Sequence, residues 1–557
     1  MSKDRLIYLP LGGAGEVGMN AYVYGYGPKG RERLILVDVG VTFPDMDGTP
    51  GVDLIMPDLS WLEARRDRLE AIFITHAHED HVGALGHLYS RLRAPVFARD
   101  FTARIAVKKM VEAGQPADAV QVVGKAPEAV ELGPFTVSFL PVSHSLPEAS
   151  ALVIETPAGR VLHTGDFKLD LAPGVGEPFD ESQFEALGQK GVKAMVCDST
   201  NIFSLHPGRS ESSLPPAITD LVKSAPGMVV ATTFASNVAR VRTLAKAARA
   251  AGRSVVLLGR AMQSMVRTAT EAKLLHDFPP TVSAEDAQDL PRNSLMLIVT
   301  GSQGERRAAS AQLAKGSYLG FNMKEGDLFL FSSMTIPGNE REVLRIVNAL
   351  SEKGVDVADN SQGLYHVSGH ANRPDLERMQ DLVRPAMLIP MHGEHRHLRQ
   401  HALLAQKRGM AAAIAPNGTM LDLTGPEPVV AEHIETGRTY LDGSALYGAM
   451  DGVVRERVKL ALNGLVMITL VIDEDGAPLG EAWADCLGLA RKGRSNRALN
   501  EVIEDELSEE LAGMGRKVLA SDERLIEALK KRARACCLDE IGKKPEVQVV
   551  VSRLSDA

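Results

Sequence analysis

Ala71 to Leu88, AIFITHAHEDHVGALGHL, constrains this chain most, because an apolar run leads directly into a cluster of ligand-type side chains. The run predicts a buried strand, and the six residues from His76 to His81 then hold three histidines and two acids. Residues two apart on an extended segment face the same side, so we expect His76 and His78 to point into one volume. Asp80 and His81 follow as the chain turns into the helix VGALGHLYSRL. Imidazole and carboxylate ligands suit Zn²⁺ or Mn²⁺ better than Ca²⁺, so the pattern predicts a metal site; the alternative is a solvated turn with chance histidines.

Further ligands are expected from other strand ends, because four ligands on one turn would leave two metals under-coordinated. Three candidates each follow an apolar run: His144 in FLPVSHSLPEA, Asp166 in RVLHTGDF and His392 in AMLIPMHGEH. An aspartate at a strand end can bridge two ions ~3.5–4 Å apart, and such a pair can hold a hydroxide nucleophile between them. Taken singly, each candidate has the alternative of being a buried, hydrogen-bonded residue.

Bulk properties narrow the class of protein. With 557 residues the chain is too long for one hydrophobic core, so two to four domains are expected. The stretch MSKDRLIYLPLGG has no apolar h-region, so we do not expect it to act as a secretory signal. We find no apolar run near the ~18 residues that span a bilayer, and the four cysteines suit a reduced cytoplasm. The net charge of −9 argues mildly against a passive nucleic-acid binder, but it does not exclude an enzyme that holds nucleic acid in a local, metal-lined groove.

The pattern of predicted strands and helices changes along the chain. Residues 1–214 are rich in short strands and predict a sandwich with helices outside, whereas residues 215–362 alternate strands and helices, which is typical of a doubly wound parallel α/β domain. Residues 363–428 predict a return to the first domain, so the α/β unit is an insertion. Residues 429–460 are a linker, and residues 461–557 predict a small α+β domain that begins with a hairpin turning at Asp-Glu-Asp-Gly.

The ligand pattern resembles the metallo-β-lactamase superfamily. That resemblance implies an α/β fold with an αββα sandwich and a dinuclear site at its edge. It also implies that one metal is held by His76, His78 and His144, the other by Asp80, His81 and His392, with Asp166 bridging. Glu79 stands at the variable position of the motif.

The insertion resembles the β-CASP group, whose members cut nucleic acids. That group has an acid after a strand, here Asp198 in AMVCDSTN, and a histidine, here His370 in YHVSGHANR. Phrases such as LGGAGEVGMN, HTGDFKLD, FASNVARV and MTIPGNE, over nearly the whole chain, are similar to the bacterial ribonuclease J family. The resemblance implies a cytoplasmic 5′-to-3′ exoribonuclease that favours single-stranded RNA with a 5′-monophosphate and has additional endoribonuclease activity, with roles in rRNA maturation and mRNA decay. It further implies self-association through the C-terminal domain into homodimers or homotetramers, and contacts with other RNA-decay proteins.

A phosphodiesterase site also needs a proton donor for the leaving oxygen. His370 is our candidate general acid, Asp198 would orient it or raise its pKa, and Asp80 belongs to the catalytic set as a metal ligand. The alternative makes His370 a loop histidine satisfied by the backbone.

Phosphate recognition is expected from backbone amides and hydroxyls after strands. The candidates are Ala235, Ser236 and Asn237 in FASN and, in HVSGH, His366, Val367, Ser368, Gly369 and His370. The resemblance implies that these groups bind the RNA, including a 5′-monophosphate one nucleotide from the cut. TGSQGE, Thr300 to Glu305, is a weaker candidate for which a plain strand-to-helix turn is an equal alternative.

Several other patterns are weaker. Gly13 to Gly18 fits G-x-G-x-x-G with Asp38 twenty residues on, but NAYVYGYG predicts a strand where a dinucleotide fold needs a helix. The histidines of EHRHLRQH predict a solvated helix face. Asp53 and Asp442 resemble a structural calcium position of some relatives.

Three rival functions stay open on the sequence. One is a metallo-hydrolase of small molecules, such as a lactonase or thioesterase, and another is a β-CASP nuclease acting on DNA. The third is a non-catalytic RNA-binding scaffold, whose mark would be lost ligands; all seven ligand residues are present.

Overall fold

The computed structural model describes residues 4–336 and 338–554, which form two compact units. One unit comprises the chain up to Thr42 together with Met56–Arg438, and the other comprises Phe43–Ile55 and the chain from Thr439 onward. The predicted fold class is confirmed: a sandwich, an inserted parallel domain and a small α+β domain are all present.

The first unit is built on two large sheets whose apolar faces share one core. Tyr8 and Phe73 from one sheet and Phe139 and Ile389 from the other are fully buried in it. The first sheet has the strand order Val429–His433, Thr419–Asp422, Asp4–Gly12, Ala21–Pro28, Arg33–Val37, Leu69–Phe73, Val96–Ala98 and Val120–Val122. The second has the order Ala411–Ala412, Met387–Met391, Ala194–Asp198, Gly159–His163, Ser150–Thr156, Phe135–Pro141 and Ala129–Leu132.

Amphipathic helices cover the outer faces of this sandwich, as expected for a layered α/β fold. Phe184 and Met379, for example, pack with Leu162 and Met195 of the second sheet in a second core. The helices are Leu85–Leu92, Asp100–Glu112, Glu181–Gln189, Arg373–Val383 and His395–Lys407, with the short helices Ser60–Glu63 and Glu79–Val82. Because Met387–Met391 lies parallel beside Ala194–Asp198, the return segment completes the second sheet.

The insertion is a five-stranded, wholly parallel sheet. Near-continuous apolar runs suit strands buried on both faces, and cores do form on both faces of this sheet. The strand order is Ser254–Leu258, Leu295–Val299, Val229–Thr232, Leu328–Phe331 and Asp356–Ala358. The helices are Pro215–Ser224, Val238–Ala250, Arg260–Glu271, Ala309–Lys315 and Glu340–Ser351.

The second unit contains the C-terminal sheet, in the order Trp483–Leu487, Leu465–Ile472 and Glu546–Arg553. The predicted hairpin is confirmed, with Gly476 N donating to Asp473 O at its turn. One face of this sheet packs against the helices Leu499–Ala512 and Asp522–Ile541. The helices Val453–Asn463 and Arg516–Leu519 also belong to this unit. Among the described residues, no helix combines the length and apolar character needed to cross a membrane.

Candidate metal centre and substrate loop

The histidine-rich turn is fixed by Asp38, which ends a neighbouring strand. The backbone N and Oγ1 of Thr75 donate to the two carboxylate oxygens of Asp38, each at 2.8 Å. His81 Nδ1 lies 2.8 Å from the same carboxylate, and all three residues are buried. Because a carboxylate can only accept, His81 carries its proton on Nδ1 and leaves the lone pair of Nε2 for a cation.

Ligand-type side chains from this turn and from five other segments converge on one volume. Asp166 is central: its Oδ2 lies 3.2 Å from His81 Nε2 and 3.7 Å from His76 Nε2, and its Oδ1 lies 2.7 Å from His392 Nδ1. Within each of three groups, one ligand atom per residue lies within 4.8 Å of all the others. The groups are His76, His78, His144 and Asp166; Asp80, His81, Asp166 and His392; and Asp166, Asp198, His370 and His392. The structure thus brings together all seven predicted ligands, with Asp166 common to every group.

The chemistry of these groups fits divalent cations. Three ring nitrogens crowd together, since His78 Nδ1 lies 3.1 Å from both His76 Nε2 and His144 Nε2. Burial is the main cause that lowers the pKa of His78 to about 4 and holds the pKa values of His76 and His144 well below their ordinary range, so these rings are neutral ligands. His392 Nε2 is buried and lies 3.3 Å from Asp80 Oδ2, so both atoms face the same small volume. Five imidazoles and two carboxylates in this arrangement suit Zn²⁺ or Mn²⁺.

The group formed by Asp80, His81, Asp166 and His392 also requires positive charge. Burial lowers the pKa of His392, but the Asp166 and Asp80 carboxylates outweigh it and raise the pKa to about 10. Protons supply the charge that these carboxylates demand when no cation is bound. A divalent cation would supply the same charge through coordination.

His370 and Asp198 form a pair beside the ligand groups. His370 Nδ1 lies 2.8 Å from Asp198 Oδ2, while Thr200 donates from N and Oγ1 to Asp198 Oδ1 at 2.9 and 2.7 Å. Burial lowers the pKa of His370, but the Asp198 and Asp166 carboxylates raise it more, so the net pKa lies above the ordinary value. The His370 side chain keeps 21% of its surface exposed, whereas Asp198 keeps 1%. A protonated ring that faces solvent can donate a proton to a leaving group.

The predicted phosphate-binding residues either follow a strand of the inserted sheet or lie on the segment that leaves the inserted domain. Asn237 is largely committed to structure, since its side chain accepts from Arg240 N and caps the helix Val238–Ala250. Ser368 Oγ lies 2.8 Å from Asn201 Nδ2 and 3.1 Å from His370 N, so Ser368 holds the loop that presents His370. Ala235, of the FASN segment, packs against the same core as Val367.

The weaker candidates have contacts that fit a structural role. In TGSQGE, Gln303 Oε1 accepts from Ile336 N and Gln303 Nε2 donates to Met334 O, so this turn is bonded to the segment 334–336. The strand Ala21–Pro28 confirms that the glycine-rich segment has no dinucleotide context. The prediction of a solvated face for EHRHLRQH is wrong at His401, which is fully buried between Ser199 and Gln380.

Structural calcium at Asp53 and Asp442 stays a prediction, and the structure shows which groups these carboxylates contact. Asp53 Oδ2 accepts from Gly443 N at 2.7 Å, and Asp442 Oδ2 accepts from Arg457.

Sequence reasoning missed residues that shape the site. Asp38 follows an apolar run in the sequence, as Asp166 and Asp198 do, so its position at a strand end could have marked it as a residue of the site. Asn20 is buried, and its N and Nδ2 both donate to Asp80 O, at 2.9 and 3.0 Å. No local pattern marks Asn20, because its partner lies sixty residues away.

Comparisons with known families cover most of the chain. Residues 14–214 match the metallo-beta-lactamase superfamily, and residues 226–350 match the beta-CASP domain of ribonuclease J. Residues 340–416 match the RNA specificity domain of Zn-dependent metallo-hydrolases, and residues 452–554 match the ribonuclease J C-terminal domain.

Individual relatives agree with these matches. Ribonuclease J of Sinorhizobium meliloti is 40% identical over 99% of this chain and 98% of its own length. Ribonuclease J of Mycolicibacterium smegmatis is 37% identical over 89% of each chain, and that of Helicobacter pylori is 30% identical over 98% of this chain and 79% of its own. A crystal structure of a protein of unknown function from Enterococcus faecalis V583 shares the fold over 75% of this chain and all of its own, with a TM-score of 0.52 and 16% identity. The chain belongs to the ribonuclease J family and is a metal-dependent hydrolase acting on RNA.

Proposed function

We propose that this ribonuclease removes nucleotides from the 5′ end of single-stranded RNA, prefers a 5′-monophosphate and also cuts internally. The observation that carries the proposal is the position of Asp166 between the two ligand groups, with the His370–Asp198 pair beside them. We further propose roles in rRNA maturation and mRNA decay.

The geometry supports a role for each residue in this proposal. His76, His78 and His144 would hold one Zn²⁺ or Mn²⁺, Asp80, His81 and His392 the other, and Asp166 both. When bound, the two cations supply a water-derived nucleophile at neutral pH and polarise the phosphoryl oxygen. His370 donates the proton to the leaving oxygen, and Asp198 holds the Nδ1 proton of its ring so that Nε2 faces the substrate.

The 5′-end preference is supported by the loop before His370. Ser368 and His366 lie on the segment that presents His370, so a phosphate bound there is a short distance from the reacting bond. A pocket that binds the terminal phosphate beside the general acid would place the bond one nucleotide from the 5′ end at the reacting site. Such a device yields stepwise removal of single nucleotides.

Self-association through the C-terminal domain into dimers or tetramers is also proposed. The sheet face opposite the helices exposes Met467, Trp483 and Val550 to 40%, 56% and 52%. An apolar sheet face of this kind is commonly covered by another chain.

End-labelled RNAs of one sequence test the function. With a 5′-monophosphate we expect single nucleotides from the 5′ end, and with a 5′-triphosphate a rate at least tenfold lower. Equal rates for both ends would refute the end preference, and faster cleavage of the matching single-stranded DNA would favour the DNA-acting rival. Turnover of a thioester without cleavage of RNA would favour a small-molecule hydrolase.

A further inference from the structure

Arg240 is a fully buried cation whose hydrogen-bond partners are other groups of the protein. It lies in the first turn of the helix Val238–Ala250 and has no exposed surface. Its Nε and Nη2 donate to the two carboxylate oxygens of Glu211 at 2.6 and 2.9 Å, a bidentate pair with both partners buried. A buried pair of this kind is not expected to be retained for stability alone, because its desolvation cost is comparable to its attraction.

The remaining donors of Arg240 reach Ser332 of the inserted domain and the segment that leaves this domain. Nη1 lies 2.7 Å from Ser332 O, 3.4 Å from Tyr365 O and 3.1 Å from His366 Nδ1, and Nη2 lies 3.4 Å from Val367 O. Glu211 lies on the segment that enters the inserted domain, and Tyr365 to Val367 lie on the segment that leaves it. One guanidinium therefore ties both connections to the start of the FASN helix.

The contact with His366 determines where that ring carries its proton. A guanidinium has only donors, so a contact at 3.1 Å needs the lone pair on Nδ1. The backbone of Ser332 also interacts with the ring and raises the pKa of His366, but its carbonyl oxygen already accepts from Arg240 Nη1 at 2.7 Å and from Thr233 Oγ1 at 3.1 Å. Burial first, then the positive charges of Arg240 and Lys168, lower the pKa of His366 to about 3. The ring is thus neutral, and because Nδ1 accepts from Arg240 its proton lies on Nε2.

We propose that the Arg240–Glu211 pair is a positioning device that holds His366 as a neutral Nε2–H donor for a phosphate oxygen of the RNA. This inference rests on the proposed recognition of the RNA 5′ end. Glu211 balances the charge of Arg240, so the loop offers a directed hydrogen bond and not a second mobile cation. A donor of fixed direction distinguishes a terminal phosphate from a 5′-hydroxyl by geometry.

The ring state is tested on the free, metal-loaded protein. Two-bond ¹H–¹⁵N correlation spectra of ¹⁵N-histidine-labelled protein, with His366 assigned by its loss in His366→Gln, report which nitrogen is protonated. We expect a neutral ring protonated at Nε2 at pH 7. A ring protonated at Nδ1, or a cationic ring, would overturn the inference.

Coupling between the two residues is tested by kinetics. Arg240→Gln is expected to raise KM for 5′-monophosphorylated RNA about tenfold while kcat changes less than threefold. In a His366→Gln background, whose amide supplies an N–H donor without a tautomer to fix, the same change should raise KM less than threefold. Arg242→Gln is the matched control, because Arg242 lies on the same helix and pairs with Asp277.

Equal effects of Arg240→Gln in both backgrounds would show a purely structural role and overturn the inference. Should wild-type KM be the same for 5′-monophosphate and 5′-hydroxyl RNA, the end preference fails while the spectra still decide the ring state. The two failures are therefore distinguishable.

Discussion

His144 Nδ1 lies 2.6 Å from the carbonyl oxygen of Gly369, so a candidate metal ligand is bonded directly to the loop that presents the candidate general acid. The carbonyl can only accept, hence His144 keeps its proton on Nδ1 and turns Nε2 toward His78 and Asp166. Gly369 precedes His370, so one peptide unit sets both the orientation of the ligand and the position of the acid. Metal binding and proton donation are thereby coupled through the backbone.

Gly369→Ala should disturb this link. A Cβ at this position would lie 2.9 Å from His144 Cε1 and 3.0 Å from its Nδ1, closer than side chains pack, and the buried ring cannot retreat freely. We expect kcat to fall about 10- to 100-fold, since misplacement of ~1 Å is enough for that loss. Steady-state kinetics with metal analysis will show it. Gly316→Ala, whose Cβ would meet no atom within 4 Å, is the control, and equal kcat in the two variants would contradict the coupling.

His370→Ala should slow cleavage without loss of metal. His370 would donate a proton, but it belongs to neither of the two groups formed by the seven predicted ligands. Its removal should therefore lower the rate of the chemical step about 10²- to 10⁴-fold. Single-turnover rates beside elemental analysis give both readouts. A variant that loses one metal equivalent would instead place His370 among the ligands, an arrangement that the third group of converging atoms makes geometrically available.

The sequence predicted the sandwich, the insertion and the convergence of the candidate ligand residues because each depends on local pattern. Apolar runs reveal buried strands, and ligands at strand ends lie at neighbouring positions of a sheet edge, so His144, Asp166 and His392 could be placed without coordinates. What could not be predicted are contacts between segments far apart in sequence. Arg240 looks like any charge on an amphipathic helix, yet it is fully buried by Glu211 and the carbonyls of a distant loop.

Gly40→Ala should remove metal by moving the turn itself. Its Cβ would lie 1.7 Å from Asp80 O, and a backbone atom cannot move aside without shifting the ligands on that turn. The same turn is bonded to Gly40's neighbours, with Val39 N donating to His81 O at 2.7 Å. We expect metal affinity to fall at least tenfold and the melting temperature to drop. Competition with a chromogenic chelator measures the first, and unchanged affinity would contradict this account.

Acid should destabilise the fold partly through His401. Burial lowers its pKa to about 4, below the ~6.5 of an unfolded histidine, so below pH ~6.5 the unfolded chain binds a proton that the folded chain does not. Stability from this group is complete above pH ~6.5 and declines as pH falls toward 4, by on the order of 3 kcal/mol at most. Melting curves at pH 7.5 and 5.0 should show a smaller decline for His401→Asn than for the wild type. The exposed His433→Asn should behave as the wild type, and an equal decline in all three proteins would exclude His401 as a cause.

Asp38→Asn should weaken metal binding while preserving the backbone. Asp38 has a φ of 63°, a conformation that asparagine tolerates, so the exchange removes the charge without adding strain. The amide oxygen can still accept one hydrogen bond, but His81 loses the carboxylate that fixes its Nδ1 proton and increases its basicity. We expect a loss of about 10- to 100-fold in metal affinity, with kcat largely restored at saturating metal, because Asp38 orients a ligand and does not touch the substrate. Asp327→Asn is the matched control: this carboxylate is equally buried and pairs with Arg292 in the inserted domain, so its loss should lower the melting temperature and leave metal affinity unchanged. If both variants bound metal as the wild type does, His81 would be oriented by its backbone alone.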